Sequence, residues 1–193
     1  MKRKRMLWTI GLFLRKGALA RGRYLRSRKV FSQVGENVRY QPRLVPLYPG
    51  LIRLHNNIMV AAGVRFITHD AAFRVLNNLG EGKFPEMVGC IEVMDNVFIG
   101  YNVTILPNVR IGSNVIIGAG STVVRDLEPD SVYAGTPAKK IGSFADFVKN
   151  RKPDPETGAF SYAHIARNLN ITAEETESAW RFFDAARRGR DQG

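Results

Sequence analysis

Residues 99–124 read IGYNVTILPNVRIGSNVIIGAGSTVV, and an aliphatic residue returns at every sixth position of this stretch. Extended upstream, the series consists of Met87, Val93, Ile99, Ile105, Ile111, Ile117 and Val123. A second series lies four residues further along, at Ile91, Val97, Val103, Val109, Val115 and Ser121. An α-helix would place its apolar residues three and four positions apart, and a long strand would alternate every two. The period of six therefore predicts a short strand and a tight turn, with Gly, Asn, Asp or Ser at the corner.

Three such units would complete one triangular coil, so residues eighteen positions apart should stack in neighbouring coils. We expect Val93 to lie beneath Ile111, and Ile99 beneath Ile117. A single coil cannot bury its own inner face, so stability comes from stacking, as in other solenoids. The pattern predicts an all-β solenoid, and a β-sandwich with evenly spaced strands is the alternative. Three prolines within residues 41–49 interrupt the rhythm, which we interpret as a bulging coil.

Two runs, residues 99–124 and VYAGTPAKKI at residues 132–141, resemble the hexapeptide-repeat acyltransferases. The resemblance covers residues 32–142. It is closest to the branch that contains maltose, galactoside, capsule and lipopolysaccharide O-acetyltransferases. It implies a left-handed parallel β-helix, acetyl-CoA as cosubstrate, a homotrimer, and a sugar, glycan or glycolipid acceptor. The handedness follows from the resemblance and not from the spacing.

The positive charge of the chain is concentrated at its N-terminus. The 193 residues carry a net charge of +12, and residues 1–30 contain eleven Lys or Arg and no Asp or Glu. A basic arm without a recognition module gives little support for nucleic-acid binding. Interleaved apolar residues predict a basic amphipathic helix at 1–30 that contacts an anionic membrane surface. A solvated arm, a helix packed on a neighbouring subunit and a secretory signal interrupted by Arg15 and Lys16 are the alternatives.

His69 is the candidate general base. The segment Val64–Asp70 leaves the repeat after a coil aliphatic, and the period stays absent through residues 70–86. Loops that leave a rigid scaffold often carry function, and the resemblance places the family's catalytic histidine here, in a Thr-then-His setting. Imidazole titrates near neutral pH, so it can take the proton of an attacking hydroxyl. The resemblance places Glu86 as the carboxylate that orients His69, and Asp70 and Glu81 are the alternatives.

Acceptor and cofactor positions are predicted on either side of this histidine. Sugars favour an aromatic face with amide and charged groups, so the predicted substrate residues in and beside the loop are Asp70, Phe73, Arg74 and Asn78, and Asn77 and Phe84 could belong to the same platform. The resemblance implies that acetyl-CoA lies in a groove between subunits. The cofactor-binding positions that it implies are Tyr101, Ala119, Val124, Arg125, Thr136, Lys139 and Lys140. No metal is predicted, because the three histidines His55, His69 and His164 are too scattered for a zinc site.

The predicted organisation is an N-terminal helix at 1–30, a β-helix at 31–142 with an excursion loop at 70–86, and a helical extension at 143–193. Within the extension, Thr172–Glu175 resembles a capping box, which predicts a helix to about Arg188. The predicted function is O-acetylation of a sugar hydroxyl on a glycan or glycolipid precursor, in the cytoplasm at the inner face of the membrane. N-acetylation of an amino-sugar nucleotide and a non-catalytic trimeric scaffold remain the alternatives.

Overall fold

The computed structural model describes residues 2–152 and 171–188. The chain divides into two compact units, Met1–Val148 and Lys149–Gly193. The described helices are α1 (Lys2–Phe13), α2 (Ala18–Ser27), α3 (Phe73–Leu76), α4 (Phe144–Arg151) and α5 (Ala173–Arg188), with a short 3₁₀ turn at Pro49–Leu51. His164 lies outside the described residues, and the predicted domain boundaries stay predictions.

The described strands are short, and their bounds follow the repeat. They are β1 (Gln33–Val34), β2 (Arg39–Tyr40), β3 (Ile52–Leu54), β4 (Ile58–Val60), β5 (Arg65–Phe66), β6 (Ile91–Val93), β7 (Val97–Ile99), β8 (Thr104–Ile105), β9 (Val109–Ile111), β10 (Val115–Ile117), β11 (Thr122–Val123), β12 (Ser131–Ala134) and β13 (Lys139–Ser143). They form three sheets, which we call face 1 (β1-β3-β6-β9), face 2 (β13-β12-β10-β7-β4-β2) and face 3 (β11-β8-β5).

From β3 to β11 the chain visits faces 1, 2 and 3 in this order three times, so it winds as a three-faced coil. Along each face the neighbouring strands are parallel, except that β13 runs antiparallel to β12. Val93 pairs with Ile111 and Ile99 pairs with Ile117, which confirms the predicted stacking of residues eighteen apart. The inward aliphatics are fully buried and form one continuous core.

Two irregular segments depart from this winding, the first after β2 of face 2 and the second after β5 of face 3. Residues 41–48 form a bulge between β2 and the 3₁₀ turn, with Val45 buried beneath it. Residues 70–86 leave the coil at the base of an antiparallel pairing between His69 and Val88. Met87 belongs to this pairing, since its carbonyl accepts from the Asp70 amide at 3.0 Å. The prediction that Met87 points into the core is therefore wrong, because its side chain is 60% exposed.

A ladder of four asparagines that ends at an aspartate lines the corner between faces 1 and 2. Its members share a left-handed backbone conformation with φ between 51° and 61°: Asn37, Asn57, Asn96, Asn114 and Asp130. Each asparagine donates from Nδ2 to the Oδ1 of the next member, at 2.8 to 2.9 Å. Asparagine tolerates this conformation better than most residues with a β-carbon. The polar corner residues that the repeat predicts thus form hydrogen bonds with one another from each coil to the next.

The basic arm is two helices rather than the single predicted helix. The break lies at Gly17, whose φ of 87° an L side chain rarely adopts. α2 packs on the first coil, where Arg21 Nε donates to the Tyr40 carbonyl at 2.8 Å. Leu12 and Leu25 are fully buried in the same core. The inner side of the arm therefore covers the N-terminal end of the coil.

The outward side of α1 remains apolar. The exposed side chains at helical spacing, continuing just past the helix, are Met6, Leu7, Ile10, Phe13 and Leu14. Within the part of the chain that the structure describes, no helix is both long and apolar enough to cross a bilayer. α1 is thus docked on the coil by one side and presents hydrophobic side chains to the surroundings with the other.

The capping box at the start of α5 is confirmed. Thr172 Oγ1 accepts from the Glu175 amide at 3.1 Å, and Glu175 Oε2 accepts from the Thr172 amide at 2.8 Å. The helix ends at Arg188, as the sequence predicts. Most of the predicted linker, residues 153–158, lies outside the described residues.

Candidate active site

His69 stands where the chain leaves face 3, and the backbone around it is tightly bonded. The Thr68 side chain is buried, and its Oγ1 donates to the Leu47 carbonyl at 2.5 Å. The Thr68 carbonyl accepts from the Gly89 amide at 2.9 Å on the returning chain. These bonds join the bulge, the end of β5 and the base of the excursion. They fix the position of His69 on a rigid part of the coil.

Tyr48 is the aromatic neighbour of His69. The two rings meet edge to face, with centroids 5.6 Å apart and an interplanar angle of 88°. The Tyr48 hydroxyl donates to Glu86 Oε2 at 2.9 Å. This hydrogen bond, together with burial and the carboxylate charge, raises the pKa of the Tyr48 hydroxyl above its ordinary value. Tyr48 and Glu86 thus form a bonded pair beside the imidazole.

The structure does not show the expected hydrogen bond between Glu86 and His69. His69 Nδ1 is buried and has no hydrogen-bond partner among residues 2–152 and 171–188. Glu86 lies in the same cavity, but its described side-chain hydrogen bond is with Tyr48. The orienting role of Glu86 therefore stays a prediction.

Two cavities meet at His69. The first, which we call the excursion cavity, has a volume of about 380 Å³. Its walls are Arg5 and Trp8 of α1, residues 47–49, and His69, Ala71, Phe73, Arg74 and Glu86. The second, the bulge cavity, has a volume of about 680 Å³. It is lined by residues 42–47 and 63–67 together with Arg5, Tyr40 and His69. Both volumes lie in the range of small-molecule sites, about 300 to 1,000 Å³.

The predicted substrate residues reach this region unequally. Phe73 and Arg74 line the excursion cavity, and the Arg74 guanidinium lies 5.4 Å from the Phe73 ring centroid. Asp70 caps the local turn, since its Oδ1 accepts from the Ala72 amide at 2.9 Å. Asn78 is exposed and does not line the cavity. Its neighbour Asn77 instead clamps the excursion through two hydrogen bonds with the Phe84 backbone.

Three of the seven predicted cofactor positions lie where the chain enters face 3. Tyr101 and Ala119 are exposed at the corner that leads into it, where the Tyr101 carbonyl accepts from the Gly120 amide at 2.8 Å. Thr136 is exposed at the same corner, and its Oγ1 lies 3.3 Å from the Gly120 carbonyl. Small residues leave this corner open, because a β-carbon at Gly120 would meet nothing within 4 Å.

The remaining cofactor positions lie on two other parts of the coil. Val124 and Arg125 are exposed directly after β11, at the edge where face 3 ends. His69 likewise lies beyond the end of a face 3 strand, β5. Lys139 and Lys140 are exposed on β13, beside Ala134 and Tyr133 of face 2. These two lysines therefore lie on face 2 and not on face 3.

Sequence reasoning missed three residues that line the excursion cavity together with His69. Tyr48 lies in the irregular bulge, where its left-handed φ of 50° is unusual for an aromatic residue. Arg5 and Trp8 belong to the arm, which we interpreted as a membrane-seeking segment and not as part of a site. No periodic pattern connects these positions with His69. A metal site is absent from the described residues, where no three His, Cys, Asp or Glu side chains converge.

A second titratable cluster lies on face 1. Glu92 accepts from Arg110 Nε at 2.9 Å, and its Oε1 lies 3.1 Å from His55 Nε2. The hydrogen bond with His55, followed by the hydrogen bond and charge of Arg110, lowers the pKa of the Glu92 carboxyl, although burial opposes the shift. This cluster ties neighbouring coils together and borders neither cavity at His69.

Comparisons with known proteins identify the repeat of this chain. The family described as bacterial transferase hexapeptide (six repeats) matches residues 91–125. Protein CapG of Staphylococcus aureus is 39% identical over 153 residues, which cover 77% of this chain and 82% of CapG. A relative from Schizosaccharomyces pombe is 38% identical over 93 residues, but the match spans only 42% of that protein.

Solved structures show the same architecture. A galactoside acetyltransferase in complex with coenzyme A superimposes with a TM-score of 0.57 and 26% sequence identity. The superposition covers 77% of this chain and 84% of that protein.

Proposed function

Because this chain belongs to the hexapeptide-repeat family of acetyltransferases, we propose that it transfers the acetyl group of acetyl-CoA to a sugar hydroxyl of a glycan or glycolipid precursor, with His69 as general base. The observation that carries this proposal is the position of His69 where the two cavities meet. Membership in the family also supports a left-handed winding of the three-faced coil.

Acetyl-CoA supplies the acetyl group as a thioester whose carbonyl carbon accepts the sugar oxygen. Since His69 Nδ1 is buried, Nε2 is the ring nitrogen left to take the hydroxyl proton. As the proton moves to Nε2, the new C–O bond forms and the C–S bond breaks. The imidazolium then returns the proton to the departing thiolate, which restores the neutral histidine. General-base assistance of this kind contributes about 10² to 10⁴ in rate.

Tyr48 and Glu86 are proposed to position the imidazole. The edge-to-face contact with Tyr48 limits rotation of the His69 ring, and the hydrogen bond to Glu86 holds Tyr48 in place. The cost of misplacing a reacting group by even 1 Å can reach about 100-fold in rate. Phe73 and Arg74 supply an aromatic face and a charged donor in the same cavity, which suits a sugar ring.

The donor is proposed to lie along face 3 in a homotrimer. The open corner at Tyr101, Ala119 and Thr136 lets backbone amides approach a ligand closely. Arg125 has the charge to pair with the CoA phosphates. A second subunit is proposed to complete the donor site. The coenzyme A complex of the similar galactoside acetyltransferase supports acetyl-CoA as the donor.

The arm is proposed to hold the enzyme at the inner face of an anionic membrane in the cytoplasm. The outward side of α1 exposes five large apolar side chains, and basic residues flank them. Each basic residue near an anionic surface contributes about 1 kcal/mol of attraction. The arm can reach the membrane without unfolding, because a different side of it is buried on the coil.

Incubation with labelled acetyl-CoA and a panel of glycans, glycolipids and nucleotide sugars tests this function. Mass spectrometry would identify the acetylated position. His69→Ala should lower transfer by about 10²- to 10⁴-fold, with an unchanged circular dichroism spectrum and unchanged CoA binding. His55→Ala is the matched control, since His55 lies on face 1 and borders neither cavity. Near-normal turnover by His69→Ala would contradict the proposal, and CoA binding without transfer to any acceptor would favour a scaffold.

A further inference from the structure

The excursion cavity and the bulge cavity share three wall residues, Arg5, Leu47 and His69. They are therefore two connected parts of one site that meet at the proposed general base. Their walls differ in chemistry. The excursion cavity has Trp8, Phe73 and charged groups, whereas the bulge cavity has mainly apolar walls and arginines. A sugar alone would occupy the excursion cavity and leave the bulge cavity without a matching ligand group.

The bulge cavity carries unbalanced positive charge. Arg5, Arg43 and Arg65 line it, and no Asp or Glu is among its lining residues. Within the described residues, no carboxylate forms an ion pair with any of the three. The Arg43 guanidinium donates to the Phe13 carbonyl at 3.2 Å, which uses one of its five N–H groups. Guanidinium groups match phosphate oxygens in geometry and charge.

The rest of the bulge cavity favours hydrocarbon. Leu44, Val45, Leu47 and Ile67 form its apolar walls, and Leu44 is 69% exposed. Its lining contains no Ser, Thr, Asn or Gln side chain that could recognise the edges of a nucleobase. The charge and the walls together fit a phosphate attached to an apolar chain better than a nucleoside diphosphate.

We propose that the acceptor is a sugar joined through a phosphate to a hydrocarbon chain. The sugar occupies the excursion cavity beside His69, Arg5 binds the phosphate at the junction, and the chain lies along the bulge cavity. This inference rests on the proposed acetyl transfer at His69 and names the class of its acceptor. It gives α1 a second role, because the same helix supplies Arg5 to the site and presents apolar side chains outward.

Titration calorimetry with the full chain tests the inference. The probes are farnesyl phosphate, farnesol, inorganic phosphate and uridine monophosphate, each below its aggregation concentration. Farnesyl phosphate should bind at least tenfold more tightly than the other three, because only it carries both groups. Arg5→Gln should weaken this binding about tenfold, whereas Arg3→Gln, the same change at an exposed position of α1, should leave it unchanged.

A second pair of variants keeps the test independent of α1. Arg65→Gln should also weaken farnesyl phosphate binding, and Arg39→Gln, on the exposed side of β2, should not. His69→Ala should still bind the probe, so loss of transfer and loss of acceptor recognition are measured separately. The inference would be overturned if farnesol, inorganic phosphate or uridine monophosphate bound as tightly as farnesyl phosphate. Equal behaviour of Arg5→Gln and Arg3→Gln would also overturn it, even if acetyl transfer to simple sugars persists.

Discussion

Substitution of Asn96 tests whether the amide ladder stabilises the coil. Asn96 occupies the middle of the ladder, where it accepts from Asn57 Nδ2 and donates to Asn114 Oδ1, both at 2.9 Å. Its φ is 61°, and its backbone amide donates to the Asn56 carbonyl at 3.0 Å. Asn96→Ala removes both side-chain bonds and keeps a β-carbon in the left-handed region. Asn96→Gly removes the same bonds but relieves the backbone.

The expected loss follows from these two contributions. Because the ladder is exposed, each side-chain hydrogen bond should contribute about 0.5 kcal/mol, the lower end of the usual range. Alanine in the left-handed region should cost about 1 kcal/mol more than asparagine or glycine. The free energy of unfolding should therefore fall by about 2 kcal/mol in Asn96→Ala and about 1 kcal/mol in Asn96→Gly. For a chain of this length, these losses correspond to melting shifts of about 4 to 8 °C and 2 to 4 °C.

Thermal unfolding followed by far-ultraviolet circular dichroism measures these shifts. All variants should be compared at one protein concentration, because assembly also contributes to stability. Asn78→Ala is the matched control, since Asn78 is exposed in the excursion and outside the ladder, and it should change the unfolding free energy by less than about 0.5 kcal/mol. An Asn96→Ala melting temperature equal to that of wild type would refute the stabilising role of the ladder. Equal melting of Asn96→Ala and Asn96→Gly would refute the backbone contribution.

Three further outcomes are expected. The pKa of Glu92 is lowered in the folded chain from its ordinary value of 4.5. Its ion-pair cluster should therefore stabilise the protein at pH values above 4.5, and this stabilisation should be lost as the pH falls below 4.5. The melting temperature of Glu92→Gln should therefore depend less on pH in this range than that of wild type. Parallel plots of melting temperature against pH for the two proteins would contradict the cluster's role. Tyr48→Phe removes the hydroxyl bonded to the neighbouring carboxylate and should lower kcat about tenfold with unchanged CoA binding, whereas full activity would exclude the positioning role. The double variant Leu7→Ser, Leu14→Ser should bind anionic vesicles at least about tenfold more weakly than wild type at low salt. Leu79→Ser, the same change at an exposed position of the excursion, should leave vesicle binding unchanged. Unchanged binding of the double variant would count against membrane contact.

The regular coil could be predicted because its information is local and repeated. Each aliphatic of the series from Val93 to Val123 is buried, and the pairing of Val93 with Ile111 follows directly from the spacing. Met87 shows where the argument ends, because it fits the period but lies in the base of the excursion. A periodic position is therefore informative only while the chain continues to wind.

The surroundings of His69 could be predicted only in part. Phe73 and Arg74 follow His69 closely in the sequence, and both line the excursion cavity. Tyr48 comes from the bulge, and Arg5 comes from the arm, so both are distant in sequence and belong to no repeat. Their approach depends on how two irregular segments pack against one edge of the coil.

The sequence alone determined the three-faced coil, the interruption at residues 70–86 and the family to which they point, since a six-residue period allows few other ways to bury its aliphatic side chains. The tertiary structure alone decided that the arm is two helices, that its first helix enters the site, and that Tyr48 rather than His69 bonds to Glu86. The physical reason is that stacking within the repeat is set by neighbouring residues, whereas the site forms where non-repeating segments meet. The contacts at such a meeting are long-range, and no local pattern in the chain encodes them.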